Sequence, residues 1–206
     1  MRIALIDYGA GNLRSVANAL RELGVDPVLA DGPDALKQAT HVVLPGVGSF
    51  GDCMRQLAQR GLVDPLRGWL ADRKPYLGIC LGYQILFDSS EESPGVAGLG
   101  AIRGEVRRFA DQPGLKIPHM GWNAAIPCRP ESGCWRGLGG EPYFYFVHSY
   151  FPVPEDDALV AARTCYGGQW FASAIGREQL LACQFHPEKS QAAGLRLMGR
   201  FLGLDG

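Results

Sequence analysis

The sequence predicts an α/β fold: a mixed, mostly parallel central sheet flanked by helices, with a more antiparallel second half. Three observations predict it. Short apolar runs alternate with amphipathic, helix-length segments over the first 90 residues, and successive β-rich runs with little helix between them follow. The chain of 206 residues also holds 28 Gly and 14 Pro, enough turn formers to separate many short elements. At this length one domain, residues 1–206, is expected, and such a domain buries roughly 70% of the surface its unfolded chain would expose.

The elements follow in order. Ile3 to Ile6 is an apolar run stopped by Asp7-Tyr8-Gly9, as a strand buried on both faces would be. Leu13, Val16, Ala17, Leu20 and Leu23 fall on one helical stripe that Gly24 ends. Val28-Leu29, His41 to Leu44 and Tyr76 to Ile79 are further strands, separated by helical stretches at Pro33 to Ala39, Asp52 to Arg60 and Val63 to Asp72. Strands are then expected at Ile102 to Phe109, Tyr143 to Val147, Leu159 to Arg163, Phe171 to Ile175 and Leu180 to Phe185. A helix over Ser190 to Leu204 closes the chain, burying Leu195, Met198, Phe201 and Leu202.

Composition excludes several classes. Twenty basic and 21 acidic side chains give a net charge of −1, which leaves no broad basic field for nucleic acid or anionic lipid. No run approaches the ~18 apolar residues of a membrane span, and Met1 to Asp7 is too short and too soon acidic for a signal peptide. The six cysteines, about 3% of residues, include no C-x-x-C pair and are read as reduced thiols of a cytoplasmic protein. Cys128 and Cys134 near His119 have poor zinc-ligand spacing, so no metal is assigned.

The strongest chemical signal is Gly78-Ile79-Cys80-Leu81-Gly82 at the end of an apolar strand. It is a nucleophile elbow with sulfur in place of oxygen, where a sharp turn lifts the side chain off the backbone and glycines admit the crowding. A helix expected to follow would favour a thiolate and supply amides for an oxyanion. His186 is the expected base: an apolar strand delivers His186-Pro187-Glu188 to its carboxyl end, and residues i and i+2 of an extended segment share a side, so Glu188 can hold the imidazole. His41 reads as a strand-end residue. His148 ends an aromatic strand, and His119 lies in the loop-like Pro118 to Asn123, a composition suited to a contact surface.

Two glycine loops remain. Gly9-Ala10-Gly11-Asn12-Leu13-Arg14 has Arg14 where a dinucleotide fingerprint needs its third glycine, so no cofactor is assigned. Pro45-Gly46-Val47-Gly48-Ser49-Phe50 has no Gly-Lys-Ser/Thr and suits an oxyanion hole better than a phosphate cradle.

Cys80 in its glycine elbow, His186-Pro187-Glu188 downstream and the Pro45 to Phe50 loop together resemble class I, triad-type glutamine amidotransferases. Ile6 to Leu13, Leu44 to Phe50, Pro118 to Asn123, Val147 to Tyr150 and His186 to Ser190 extend the likeness along the whole chain. Within the family the chain is similar to the ammonia-supplying subunits of histidine biosynthesis. The resemblance implies Cys80, His186 and Glu188 as the triad, Val47, Gly48 and Leu81 as oxyanion donors, and Gln84, Ser149 and Tyr150 as contacts to L-glutamine. It also implies a (β/α)8-barrel cyclase subunit as partner in a heterodimer, met through Asn12, Trp122 and Lys189. Sister glutaminases serving pyridoxal phosphate or anthranilate synthesis, and a non-catalytic assembly module, are the alternatives.

Overall fold

The computed structural model describes residues 1–9, 11–131 and 133–204; Ala10 of the first glycine loop lies outside them. The first half follows the expected alternation: β1 (Ile3–Ile6), α1 (Leu13–Glu22), β2 (Val28–Ala30), β3 (His41–Gly46), α2 (Phe50–Gln59), α3 (Val63–Ala71) and β4 (Tyr76–Cys80). Gly24 closes α1 with φ +81, where a residue carrying Cβ would be strained. α2 starts at Phe50, ahead of the expected Asp52, because Ser49 caps it by accepting the Asp52 N–H. The helical stretch expected at Pro33 to Ala39 is a 3-10 helix over Pro33–Gln38.

α4 (Leu81–Gln84) follows β4 directly and is a single turn, far shorter than a dipole-bearing helix. Beyond it lie β5 (Ser89–Ser90), β6 (Gly104–Arg108), β7 (His119–Ala124), β8 (Ile126–Pro127), β9 (Tyr143–His148) and β10 (Tyr150–Pro154). β11 (Val160–Tyr166), β12 (Gln169–Arg177), β13 (Leu180–Cys183) and α5 (Gln191–Phe201) complete the chain. In α5 the buried residues are Gly194, Leu197, Met198 and Gly199; of the expected stripe Met198 and Leu202 are buried, while Leu195 and Phe201 are half-buried.

One sheet runs β2-β1-β3-β4-β13-β12-β11-β8. Its first five strands pair in parallel and the last three antiparallel, as the change of texture predicts. Alternation splits β1 between two cores. Ala4 and Ile6 face a layer with Leu57, Leu66 and Leu70 of α2 and α3, whereas Ile3 and Leu5 face Val16, Leu20, Leu197 and Met198 of α1 and α5. β10-β6-β5 and β7-β9 form two small outlying sheets.

β7 is the main departure from expectation, since Pro118 to Asn123 read as a loop. It pairs antiparallel with β9 from His119↔His148 to Ala124↔Tyr143. His119 is buried while Met120 and Trp122 are 63% and 47% exposed, so the strand's large apolar residues lie on its outer side and hid its period.

The parallel register places Gly46 beside Cys80 and Ile79 beside Cys183, so the carboxyl ends of β3, β4 and β13 meet. A Cβ on Gly82 would sit 1.9 Å from the Leu44 carbonyl oxygen, whereas one on helical Gly68 would meet nothing within 4 Å. Gly82→Ala is therefore expected to cost about 3 kcal/mol or more by backbone overpacking. Gly68→Ala, at an exposed helix position, should stabilise by roughly 0.5–1 kcal/mol. Urea unfolding of the two variants checks this pair, and equal effects would contradict it.

Candidate active site

The strand ends hold Cys80 in an uncommon conformation, φ +53 and ψ −102. Such geometry in a residue with Cβ costs of order 1–3 kcal/mol and persists only where the surroundings impose it. They do so through contact. Added Cβ atoms at Gly78 and Gly46 would lie 2.6 Å from the Gly82 carbonyl oxygen and from Leu81 Cβ, so the elbow packs backbone to backbone against β3. Tyr76 Oη donates to the Gly82 carbonyl at 2.7 Å and fixes the far side of the turn.

His186 follows β13, and its amide donates to the Tyr145 carbonyl of β9 at 2.8 Å. Ser190 Oγ donates to the His186 carbonyl (2.6 Å) and accepts the Tyr145 N–H (3.0 Å), clamping the His-Pro-Glu turn between β9 and α5. Gly194 lets α5 seat on that turn, because a Cβ there would lie 1.9 Å from the Pro187 carbonyl oxygen. His186 Nδ1 meets Glu188 Oε1 at 2.9 Å, with both side chains almost wholly buried. Since the carboxylate accepts, Nδ1 carries the proton and Nε2 is left for Cys80. Nε2 is buried and makes no hydrogen bond of ordinary geometry, and Cys80 is the strongest electrostatic influence on the ring.

Burial alone would drive the His186 proton off. Interaction with the Cys80 sulfur and with the Glu188 carboxylate outweighs it and pushes the imidazole up to about 10. Asn12 Nδ2 donates to the same Glu188 oxygen at 3.3 Å, so this residue, expected at the partner face, has its side chain turned into the triad-like cluster.

A cavity of about 300 Å³ opens over Cys80 and His186, lined also by Val47, Gly48, Leu81, Gln84, Glu92, Ser149 and Tyr150. Its size falls at the low end of small-molecule pockets. Every residue expected to touch substrate or oxyanion thus borders one space. Gln84 Nε2 is spent on the Tyr150 carbonyl (2.9 Å) and Gln184 Oε1 (3.1 Å), which makes it part of the wall. The Val47 N–H donates to Tyr8 Oη at 3.2 Å, so it is engaged away from the cavity, while Gly48 beside it has φ +100. Trp122 stands exposed with its ring edge-on to Tyr145, and Lys189 Nζ lies 5.8 Å from the centre of the same Tyr145 ring.

Sequence reasoning missed three residues here. Glu92 accepts the Phe50 N–H at 2.6 Å through Oε2 and is the acid of the cavity wall; it lies in a Gly-, Pro- and acid-rich stretch with no periodicity to mark it. Gln184 is fully buried with Nε2 3.6 Å from Cys80 Sγ, a polar residue inside an apolar strand that carried a signal unread. Tyr8, taken for a turn residue, reaches Val47 from β1's end.

Residues 4–202 match the family model for class-I glutamine amidotransferases. The chain belongs to that family. An imidazole glycerol phosphate synthase subunit HisH of Thermosynechococcus vestitus is 50% identical over 203 residues, covering 98% of this chain and 96% of the relative. Its counterpart in Microcystis aeruginosa is 48% identical over 200 residues, covering 97% and 94%. Two solved structures share the fold: one described as a glutamine amidotransferase (TM-score 0.76, 21% identity, 98% and 97% covered), the other PurLQS of Thermotoga maritima (TM-score 0.75, 20% identity, 98% and 97% covered). The amidotransferase fold thus places the elbow, the His-Pro-Glu turn and the glycine loop at adjoining strand ends.

Because the folded His186 binds its proton more tightly than an unfolded-chain histidine near 6.5, its contribution to stability is complete below about 6.5 and is lost as pH rises toward 10. NMR titration of the imidazole should show a midpoint well above 6.5 that falls in both Glu188→Gln and Cys80→Ala. A midpoint at or below 6.5 in the unaltered protein would contradict the assigned electrostatics.

Proposed function

We propose that the chain is the glutaminase subunit of an imidazole glycerol phosphate synthase, and that Cys80, His186 and Glu188 are its catalytic residues. The observation that carries the reading is that Cys80 and His186 border one 300 Å³ cavity, with Glu188 buried behind His186 on its Nδ1, in a chain whose HisH relatives match almost end to end.

Glutamine's carboxamide is a poor electrophile, so a charged nucleophile is required. The Cys80 sulfur attacks the carboxamide carbon, and the carbonyl π pair moves to oxygen. The Leu81 and Gly48 amides border the place where that oxyanion forms, and one lost donor of this kind costs roughly 3 kcal/mol of transition-state stabilisation. The Val47 N–H can join them only if its peptide turns away from Tyr8, a rotation that Gly48 at φ +100 helps to accommodate. As the tetrahedral species collapses, His186 gives its proton to the departing nitrogen, which leaves as ammonia. Water then attacks the γ-glutamyl thioester while His186 takes its proton, glutamate departs, and the sulfur and imidazolium are restored. Glu188 steadies the cationic ring throughout, and Asn12 steadies Glu188. Glu92 offers a carboxylate for the substrate's α-ammonium, and Ser149 with the backbone near Tyr150 borders the rest of the amino acid.

Ammonia released into water is protonated and lost, so a receiving subunit is part of the function. The partner is a (β/α)8-barrel cyclase that uses the ammonia to form imidazole glycerol phosphate and aminoimidazole carboxamide ribotide. The exposed row Met120, Trp122 and Tyr143, with Lys189 alongside, is its docking face: aromatic, weakly charged and next to the strand ends.

Cys80→Ala in complex with the cyclase should abolish glutamine-dependent synthesis and leave ammonia-dependent synthesis intact. Glutamine-dependent turnover persisting in this variant would remove Cys80 from the reaction. Loss of both activities would place Cys80 in assembly instead.

A further inference from the structure

His119 and His148 are cross-strand partners on the inner side of the β7-β9 ribbon; His148 borders the cavity over Cys80, yet the proposed reaction gives neither histidine a step. Both are buried. His119 is stacked between Tyr166 and Phe146, with ring centres 4.0 and 4.7 Å away, and Phe109 and Phe171 press on His148 at 5.2 and 5.3 Å. Two imidazoles in an aromatic cluster are costly unless every polar atom is satisfied.

They are satisfied in one arrangement only. His148 Nδ1 lies 2.9 Å from the Tyr150 carbonyl, which can only accept, so Nδ1 carries the hydrogen and Nε2 accepts. His119 Nδ1, 3.1 Å from that Nε2, must then donate, and its own Nε2 accepts from Asn123 Nδ2 at 3.2 Å. Asn123 is fixed in turn, since its Oδ1 accepts the Ala124 N–H and its Nδ2 also donates to the Cys165 carbonyl. Burial pushes His119 down to about 4 and His148 to about 3, so both rings are neutral near pH 7 and the order of donors does not scramble.

The chain of bonds ends on the cavity wall. The Tyr150 carbonyl takes a second donor, Gln84 Nε2, which also reaches Gln184 Oε1, and Gln184 Nε2 lies 3.6 Å from Cys80 Sγ. At its other end, strand alternation puts Met120 and Trp122 outward on either side of Gly121, so the backbone that holds His119 also carries the exposed row.

We propose that His119 and His148 are positioning residues that hold the Ser149–Tyr150 wall of the glutamine cavity and lock it to the exposed Met120–Trp122 face of β7. The proposal rests on the glutaminase reading of the cavity. It makes the ribbon a rigid link by which a partner seated on the outer row sets the shape of the substrate site.

His119→Phe keeps the ring and its stacking but removes both nitrogens, leaving His148 Nε2 buried without a donor. His119→Asn places an amide N–H near the lost Nδ1. In the full complex with cyclase, His119→Phe should raise the KM for glutamine roughly tenfold, the scale of one buried group left unpaired, with kcat changed less. His119→Asn should bring KM back to within a few-fold of the unaltered protein, and ammonia-dependent synthesis should be unchanged in both, reporting intact fold and docking. An unaltered KM in His119→Phe, even with a lowered melting temperature, would reduce the pair to structural filler and overturn the proposal. Should His119→Phe fail to fold, Asn123→Ala carries the test: it removes the donor to His119 Nε2, and a KM equal to that of the unaltered protein contradicts the chain. Absence of glutamate release by the unaltered complex would instead remove the glutaminase reading, and the proposal with it.

Discussion

The backbone turn at Cys80 is the constraint on which the rest of the site depends. Its positive φ is imposed by close packing of one strand end on the next, where Gly82 lies against the Leu44 carbonyl and Gly46 against Leu81. Any of these glycines replaced by a larger residue pushes β3 from β4, and the sulfur, the Leu81 amide and the Val47–Gly48 loop all lose their common origin. Strain at Cys80, the proposed nucleophile, is thus offset by contacts spread over two strands, which keeps the turn rigid.

Around this turn the polar groups are arranged so that charge is kept in a nearly dry place. His186, Glu188 and Asn12 form a short relay under α1 and α5, where burial would neutralise an isolated ion but paired opposite charges retain it. On the other side of the sulfur, Gln184, Gln84 and the Tyr150 carbonyl make a neutral wall that leads to the two buried histidines. One side of the sulfur is ionic and the other is neutral. Tyr8, holding the Val47 N–H, adds a hydrogen bond that would have to be exchanged for that amide to serve the proposed oxyanion.

Much of this was legible in the sequence because it is local. The strand-turn periodicities of β1, β3, β4 and β13 and the glycines around Cys80 are short-range patterns with a direct physical reading. The His186–Glu188 contact is expected too, but from an extended i, i+2 segment, whereas Pro187–Lys189 is a 3-10 turn that brings the carboxylate onto Nδ1. What stayed hidden depends on long-range pairing. β7 has its apolar residues outward and lacks a core-facing signature, so only its partner β9 defines it as a strand. The helix after Cys80 shrinks to one turn because tertiary contacts, not propensity, set the chain's path there. Asn12 meets Glu188 across 176 residues, and Glu92 meets Phe50 across 42, distances over which no periodicity carries information.

The central claim is that Cys80 bonds covalently to the substrate carbon at this strained turn. The most direct measurement is mass spectrometry of the cyclase complex quenched in acid during turnover of isotopically labelled glutamine. The account predicts a labelled γ-glutamyl group on the peptide containing Cys80, accumulating to a higher level when deacylation is slowed in Glu188→Gln. Continued release of labelled glutamate with no adduct on Cys80 at any quench time, in either protein, would contradict it.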